Sequence, residues 1–277
     1  DGKTVRGTIP AGQTRGLHLL AAFRPDEGWV LLQVEVDGKE NEITAAPRVL
    51  KCLDLRGKIV TGDALLAQRE LSIQIVEGGG DYVWTVKACP ERSRRDNQPQ
   101  LRQDIEILFE PEKCVKGFSP ATQDFRTAET AEKGHGRLER RTLTASSELK
   151  GYLDWPYAEQ VFKLERHFER IKDGKITQEV VYGVTSLTAQ EAGPERLLQI
   201  ARTHWQIENG LHYRRDATLR EDWCQVRMGE AAHALTVINN LILGFLPRLG
   251  IKNVPQVRRR YAAHLDEALA LVLHSPP

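Results

Sequence analysis

The sequence has no long apolar run, and this absence excludes a chain that crosses a membrane through its helices. None of its segments approaches the roughly 18 consecutive apolar residues that such a helix requires. The opening stretch DGKTVRGTIP also lacks the apolar middle of a secretory signal peptide. Since 40% of the 277 residues are apolar and 28% are charged, the composition is that of a globular protein with a sizeable core. We therefore expect a cytoplasmic protein.

Cysteine is scarce and the net charge is low. The cysteines Cys52, Cys89, Cys114 and Cys224 are far apart, and no Cys-x-x-Cys spacing occurs, which argues against structural zinc and favours reduced thiols. A formal net charge of +1 excludes binding of nucleic acid through the overall charge. Such binding would depend on local basic clusters, each of which is more often a solvated surface. These clusters lie at 92–95, 137–141, 163–172 and 258–260.

The order of apolar runs predicts a mixed α/β sheet with helices on its faces. Asp-Gly at the start indicates a turn that follows a strand, and the runs 17–23 and 29–36 indicate a hairpin. Strand, hairpin, helix, strand, helix and strand is the order of a ribonuclease-H-like core. The helices of this series are predicted at 42–55 and 65–80, and the later strands at 58–64 and 81–87.

The rest of the chain predicts an insertion followed by further helices. From 88 onwards the pattern loosens into polar loops with short strands such as 180–187. Helical periodicity returns at 194–215, which Pro194 opens, and again at 231–250. We therefore divide the chain into a first part of the core at 1–87, a β-rich and loop insertion at 88–190, and a segment at 191–277 whose helices complete the core.

Two aspartates and one glutamate are the candidates for chemistry. Asp63 ends a predicted strand and Asp1 is predicted to end its neighbour, so both carboxylates should project from the edge of the sheet where ligands bind. A helical period of 3.6 places Glu208 on a polar stripe that can face them. Three converging carboxylates supply the hard oxygen ligands that two divalent cations need for phosphodiester chemistry. The stripe consists of His204, Glu208, His212 and Arg215.

Each of these residues also has a simpler interpretation. An aspartate at the end of a strand is commonly a turn or cap residue, and a helical glutamate usually lies on a solvated face. Because His204 and His212 flank Glu208, a mononuclear site of two histidines and one carboxylate is conceivable. A plain surface stripe is the more common outcome of that spacing.

Seven short motifs follow one another along the chain, and although each is weak alone, the ordered set is specific. They are DGKTVRG (1–7), KENEITAAPRVL (39–50), KIVTGDALLAQ (58–68), DYVWTVK (81–87), NQPQL (97–101), KGHGRLERR (133–141) and HWQIENGLHYRRDATLRED (204–222). Over nearly the whole chain, this series resembles the DDE-type insertion-sequence transposases, in the branch that includes the H-repeat-associated proteins.

The resemblance implies a ribonuclease-H-like fold with a β-rich insertion before the last catalytic helix. It implies that Asp1, Asp63 and Glu208 are the catalytic acids and that they bind Mg²⁺ or Mn²⁺, with two ions expected. It further implies cleavage of DNA at the ends of an insertion sequence and joining of the freed 3′-hydroxyl to target DNA. Such a protein is bacterial, acts at the nucleoid and is expected to self-associate in a complex that holds both ends.

The sequence departs from the family at several places. Members usually carry a further segment before the DGK motif, so we expect this chain to be a fragment. Gly62 replaces a bulky apolar residue, and a glycine weakens a strand. Arg215 also replaces an apolar residue, which either adds a phosphate contact or exposes the helix. The stretch 88–96 is extra, and it either binds phosphates through counterion release or is a passenger loop.

Candidate DNA contacts come from basic, polar and aromatic residues beside the motifs. Phosphate contacts are typically made by such side chains, and an exposed tryptophan can stack on a base. The arginines could equally form surface salt bridges with Glu132 and Glu139, and the tryptophan could pack in the core. Asp216, Glu221 and Asp222 either assist the metal and the DNA or are helix-end charges. The candidates are Lys87, Asn97, His135, Arg137, Arg140, Arg141, Trp205, Asn209, His212 and Arg215.

Two other functions remain compatible with these residues. One is a catalytically inactive, transposase-derived remnant that keeps DNA binding, which the missing first strand and the extra loop favour. The other is a metal-dependent hydrolase that acts on a different phosphodiester, because the same carboxylates would serve it.

Overall fold

The chain is described by a computed structural model that covers residues 1–38, 40–86, 98–110, 124–134, 136–227, 230–251 and 253–274. It divides into two compact units. The first unit contains Asp1–Glu40 and Trp205–Pro277, and the second is the segment Asn41–His204. Among the described helices, none combines the length and the apolar character that a membrane crossing would need.

The first unit is built on a three-stranded antiparallel sheet in the order β1-β2-β3. Its strands are β1 (Gly2–Thr4), β2 (His18–Arg24) and β3 (Trp29–Glu35), so the predicted hairpin is confirmed. The prediction for the first residues was wrong. The motif DGKTVRG was expected to follow a strand, but Gly2–Thr4 itself pairs with β2, so Asp1 stands at the start of a strand rather than at its end.

Helices complete the first unit, and one of them packs on the sheet. In α5 (Ala231–Arg248), Phe245 meets the ring of Trp29 on β3 edge to face, with 5.2 Å between the centroids. A Cβ at Gly244 would lie 2.6 Å from the Trp29 ring, so only a glycine permits this approach. The observed bounds of α5 confirm the helix predicted over 231–250. Two further helices follow, α6 (Val254–Ala263) and α7 (Leu265–His274).

The second unit contains a six-stranded mixed sheet in the order β4-β5-β9-β8-β7-β6. Strands β4 and β5 run parallel, and the neighbouring pairs that follow them in the sheet are antiparallel. The strands are β4 (Ile59–Gly62), β5 (Asp81–Val86), β6 (Arg126–Gly134), β7 (Arg137–Ser146), β8 (Gln160–Arg170) and β9 (Ile176–Thr185).

The predicted β-rich character of the middle segment is confirmed, but its strands are not short. Strands β6 to β9 are between 9 and 11 residues long, and β9 hydrogen-bonds directly to β5. Polar and charged residues alternate with the apolar ones along β6 and β7, which gave the sequence its loop-like appearance. The inner face is apolar, with Leu143, Phe162 and Leu197 fully buried in one cluster.

Helices flank the sheet of the second unit. Asn41 begins the first of them, and its side chain accepts from the N–H of Thr44 while its own N–H donates to the Thr44 hydroxyl. This reciprocal cap satisfies donors that a helix start leaves unpaired. The helices are α1 (Glu42–Lys51), α2 (Arg69–Glu77), α3 (Pro99–Phe109) and α4 (Pro194–His204), so those expected at 42–55 and 65–80 are present but shorter.

The glycine at the end of β4 is matched by a tryptophan on the neighbouring strand. Gly62 lies opposite Trp84, which is 2% exposed, and a Cβ at Gly62 would lie 2.9 Å from the indole ring. The indole nitrogen donates to the hydroxyl of Ser72 at 2.9 Å, which fixes the ring. The indole therefore fills the space beside Gly62, and the expected weakening of the strand is offset by packing.

Replacing Gly62 with Val is expected to lower the free energy of unfolding by about 1–3 kcal/mol, because overpacking displaces the indole. Urea unfolding measures this loss. Gly134→Val is the matched control, since a Cβ there meets no atom of the described residues within 4 Å. The combined variant Gly62→Val, Trp84→Leu should recover part of the loss. Equal stability of Gly62→Val and the unsubstituted chain would contradict the packing argument.

Candidate metal centre

Three side chains of the first unit converge on one point. One potential ligand atom each from Asp1, Glu208 and His212 lies within 4.8 Å of the other two. Nδ1 of His212 is 3.7 Å from Oδ2 of Asp1 and 3.6 Å from Oε2 of Glu208. Both distances exceed those of a hydrogen bond. Two carboxylates and an imidazole at this spacing form a donor set that a divalent cation can use.

Asp1 is held by the edge of the three-stranded sheet. Its backbone nitrogen donates to the carbonyl of Ala21, and the N–H of Ala21 donates to the Asp1 carbonyl, both at 3.0 Å. These two bonds extend the pairing of β1 with β2 by one residue. The side chain of Asp1 is 15% exposed, so the backbone fixes a largely buried carboxylate beside the other two groups.

Glu208 and His212 lie on a stretch that is π-helical rather than α-helical. The stretch consists of Ile207–His212 and Arg214–Thr218, in which the N–H of Tyr213 donates to the carbonyl of Glu208, five residues earlier. The single α-helix predicted over 194–215 is thus wrong beyond His204, where α4 ends. Buried Ile207 and Leu211 anchor the stretch in an apolar cluster. Single-turn π-helical segments often occur at functional sites.

His212 is buried, and its ring is held neutral. The residue is 5% exposed, and its Nε2 has no hydrogen-bond partner in the part of the chain that the structure describes. Burial, followed by the positive charges of Arg215 and Lys3, lowers the pKa of His212 to about 3. A neutral imidazole is the form that binds metal ions. The interpretation of the polar stripe as a solvated surface is therefore wrong at this position.

The depressed pKa of His212 predicts a pH dependence of stability. Between pH 6.5 and about pH 3 the unfolded chain binds a proton on this ring that the folded chain does not. The stability that the neutral His212 ring contributes is therefore fully present above pH 6.5 and is lost as the pH falls toward about 3. In EDTA, the free energy of unfolding of the unsubstituted chain should fall with decreasing pH more steeply than that of His212→Gln. The difference between the two slopes should reach up to about 1.4 kcal/mol per pH unit.

Urea unfolding at several pH values between 4 and 7 measures both slopes. The exposed His264→Gln is the matched control for the loss of a histidine. Parallel slopes for His212→Gln and the unsubstituted chain would show that the folded state protonates this ring as readily as the unfolded state does.

A buried lysine links the DGK motif to the end of the π-helical stretch. Lys3 is 8% exposed, and its Nζ lies 2.6 Å from Oδ1 of Asp216 and 3.7 Å from Oδ1 of Asp222. The backbone N–H of Arg6 also donates to Asp222 at 2.9 Å. Asp216 and Asp222 are thus ion-pair partners of β1 rather than helix-end charges. The sequence reasoning missed Lys3, although it belongs to the first of the seven motifs.

Arg215 is buried, which corrects both predictions made for it. The residue is 0% exposed and Glu221 is 3% exposed. Nε of Arg215 lies 2.9 Å from each carboxylate oxygen of Glu221, and Nη2 of Arg215 lies 2.6 Å from Oε1 of Glu221. Gln33 accepts a further bond from Arg215, and Asn239 donates to Glu221 at 2.8 Å. The guanidinium neither exposes the helix nor reaches the surface where it could contact a phosphate.

The glycine that closes the first motif permits a close backbone contact. A Cβ at Gly7 would lie 2.1 Å from the carbonyl oxygen of Cys224 and 2.9 Å from that of Asp222. Nε of Arg227 donates to the Gly7 carbonyl at 2.9 Å. The turn Arg6–Thr8 therefore packs against the short helix Glu221–Trp223, and any other residue at Gly7 would separate them.

Asp63 lies in the second unit, directly after β4. Its carboxylate accepts from the N–H of Leu66 at 3.2 Å, so it caps the short helix Ala64–Leu66, as the simpler interpretation anticipated. Its role as a metal ligand stays a prediction. His204 ends α4 in the same unit, and its Nδ1 lies 3.1 Å from the hydroxyl of Thr61 on β4.

Apart from the buried His212 and Arg215, the predicted DNA contacts fall into three groups. Arg137, Arg140 and Arg141 form ion pairs with acidic residues of β6 and β7, including Glu132 and Glu139 as anticipated. The first two are at least half exposed, whereas Arg141 is 15% exposed. Trp205 is 38% exposed, and Asn209 donates to its carbonyl. Lys87, Asn97, His135 and the extra stretch 88–96 lie outside the described residues.

Comparison with known proteins identifies the family of this chain. A family model described as the transposase DDE domain matches residues 1–245. "Putative protein YbfL" of Escherichia coli (strain K12) is 31% identical over 255 residues, which cover 89% of this chain and 62% of that protein. "H repeat-associated putative transposase YhhI" of the same strain is 30% identical with the same coverage. "Putative transposase YncI" of Escherichia coli O157:H7 is 30% identical over 98% of this chain and 68% of that protein.

The matched region contains each element of the centre. Residues 1–245 include β1, the π-helical stretch and most of α5. The chain covers 62% of the length of each of the first two relatives. The chain belongs to the DDE transposase family, and its relatives include the H-repeat-associated proteins.

Proposed function

We propose that this chain is the catalytic part of a DNA transposase with a ribonuclease-H-like fold. It cleaves DNA at the ends of an insertion sequence and joins the freed 3′-hydroxyl to target DNA. The observation that supports this most directly is the convergence of Asp1 and Glu208, two acids that are distant in sequence, in a chain of the DDE family.

The donor set fits the divalent cation that this chemistry requires. Carboxylate oxygens are the ligands that Mg²⁺ and Mn²⁺ favour, and Asp1 and Glu208 offer them on one side of a buried imidazole. The side chain of Glu208 is 52% exposed, so the centre has a solvent side that phosphate and water can reach. Bound cations supply activation of the attacking oxygen and stabilisation of the leaving oxygen.

Asp63 is the third acid of this proposal. The basis is the motif KIVTGDALLAQ, in which Asp63 occupies the position of the second catalytic acid of the family. The bond from the N–H of Leu66 uses Oδ1 of Asp63 and orients the carboxylate at the carboxyl end of β4. With Asp63 included, the acids would hold two cations, and we propose Mg²⁺ or Mn²⁺ in both places.

DNA is the proposed partner, together with a second copy of the chain in a complex that holds both ends. Arg137 and Arg140 are the strongest candidates for contacts to the DNA backbone, because they are exposed arginines on one strand. Their ion pairs with Glu139 and Glu129 are exposed, and such pairs contribute little to stability, so phosphate can replace the carboxylates.

The test uses the chain with duplex DNA that carries the two ends of its own element. In Mg²⁺ or Mn²⁺ we expect nicking at the ends followed by joining to a target plasmid, and EDTA should stop both. Binding without cleavage would instead identify a catalytically inactive DNA-binding remnant. Cleavage that ignores the end sequences would identify a general phosphodiesterase. Either of these two results would overturn the proposed function.

A further inference from the structure

We propose that His212 is a protein ligand of the cation held by Asp1 and Glu208. The centre would then combine carboxylate oxygens with an imidazole nitrogen and would prefer Mn²⁺ to Mg²⁺. This inference rests on the proposed function for the use of the cation, but it concerns a residue outside the three acids of the family motif.

The position of the ring is the first support. His212 is 5% exposed and directs Nδ1 toward both carboxylates, at 3.7 Å from Asp1 and 3.6 Å from Glu208. Two ligand atoms that each lie about 2.1 Å from one cation are separated by about 3.0 Å when adjacent and about 4.2 Å when opposite. The observed separations fall within that range, and they are too long for direct hydrogen bonds.

The burial of the ring is the second support. A buried polar side chain is costly unless its polar atoms are satisfied, and a cation bound to Nδ1 of His212 would satisfy that atom. Packing alone would be served equally by an apolar side chain. A buried ring that faces two carboxylates is instead placed as a metal ligand would be.

The π-helical backbone is the third support. The bond from the N–H of Tyr213 to the carbonyl of Glu208 widens the turn that carries both Glu208 and His212. The two side chains meet in spite of their different environments, since Glu208 is 52% exposed and His212 is 7% exposed at the side chain. The stretch therefore presents one ligand from the solvent side and one from the core side of the same cation.

The chemistry of the donors decides the preference among cations. Mg²⁺ binds oxygen almost exclusively in proteins, whereas imidazole nitrogen suits the transition metals, for which affinity rises from Mn²⁺ along the series. A nitrogen ligand adds affinity for Mn²⁺ and adds little for Mg²⁺. The same chain should consequently bind Mn²⁺ more tightly than Mg²⁺, and this difference should depend on His212.

The test is pulsed electron paramagnetic resonance of Mn²⁺ bound to the chain. We expect nitrogen modulation from a directly bound imidazole, which changes when the histidines are labelled with ¹⁵N. The modulation should be absent in His212→Gln, and Mn²⁺ affinity should fall by about tenfold or more, while Mg²⁺ affinity changes little. His233→Gln is the matched control, because His233 lies in the same unit and its Nε2 is also buried without a partner among the described residues.

The outcomes separate this inference from the proposed function. Mn²⁺ binding without nitrogen modulation in the unsubstituted chain would overturn the role of His212 and leave the carboxylate centre intact. Modulation that persists in His212→Gln would overturn it as well. Absence of Mn²⁺ binding would overturn both proposals. The labelled, unsubstituted chain gives a decisive reading even if His212→Gln fails to fold.

Discussion

Replacing Glu208 with Gln is expected to reduce joining of DNA ends on the order of a thousandfold. The amide keeps the size of the side chain but removes the negative charge that a cation requires, and several kcal/mol of transition-state stabilisation are lost with it. DNA binding should change little, because under the proposed function it depends on the arginines of β7 rather than on the acids. A joining assay and a gel-shift assay on the same DNA measure the two effects.

The control for this variant is Glu230→Gln, which makes the same change at a side chain in the first unit that is 94% exposed. It should keep the activity of the unsubstituted chain. Joining by Glu208→Gln at a rate near that of the control would remove Glu208 from the centre.

Replacing Arg215 with Met is expected to lower the free energy of unfolding by about 3–5 kcal/mol, because Glu221 would be left buried without its partner. The pair is 0% and 3% exposed at its side chains, so water cannot take the place of the guanidinium. The combined variant Arg215→Met, Glu221→Leu should lose less, because both charges leave together. Urea unfolding of the chain in EDTA measures the three variants.

An exposed pair of the same type provides the control. Nε of Arg260 lies 2.6 Å from Oε2 of Glu267, and the two side chains are 65% and 36% exposed. Replacing Arg260 with Met should lower the free energy of unfolding by less than about 1 kcal/mol. A loss for Arg215→Met that is no larger than this would contradict the burial argument. A combined variant less stable than Arg215→Met would contradict the view that the unpaired charge dominates the cost.

The sequence predicted most of the regular elements because their patterns are local. Apolar runs and helical spacing identified β2, β3, β4, β5 and α5 close to their observed bounds. The order of the motifs also singled out Asp1 and Glu208, which the structure brings together. The predictions of these strands and of α5 succeeded because a strand or helix is determined largely by its own residues.

The errors arose where distant residues decide the outcome. The apolar spacing of the stretch 194–215 predicts an α-helix and does not reveal the π-helical turns that follow His204, whose hydrogen bonds join residues five apart. Arg215 looked like an exposed charge, since nothing in the local pattern shows that Glu221 and Gln33 surround it. His212 was assigned to a surface stripe for the same reason. Burial of a polar side chain is set by tertiary packing, which a single sequence does not display.

The most direct test of the metal centre is anomalous diffraction at the manganese edge from crystals of the chain grown with Mn²⁺. The account predicts an anomalous peak about 2.1 Å from carboxylate oxygens of Asp1 and Glu208, with Nδ1 of His212 in the same coordination sphere. A chain that binds Mn²⁺ with its peak elsewhere, or with none of these atoms as ligands, would contradict the account.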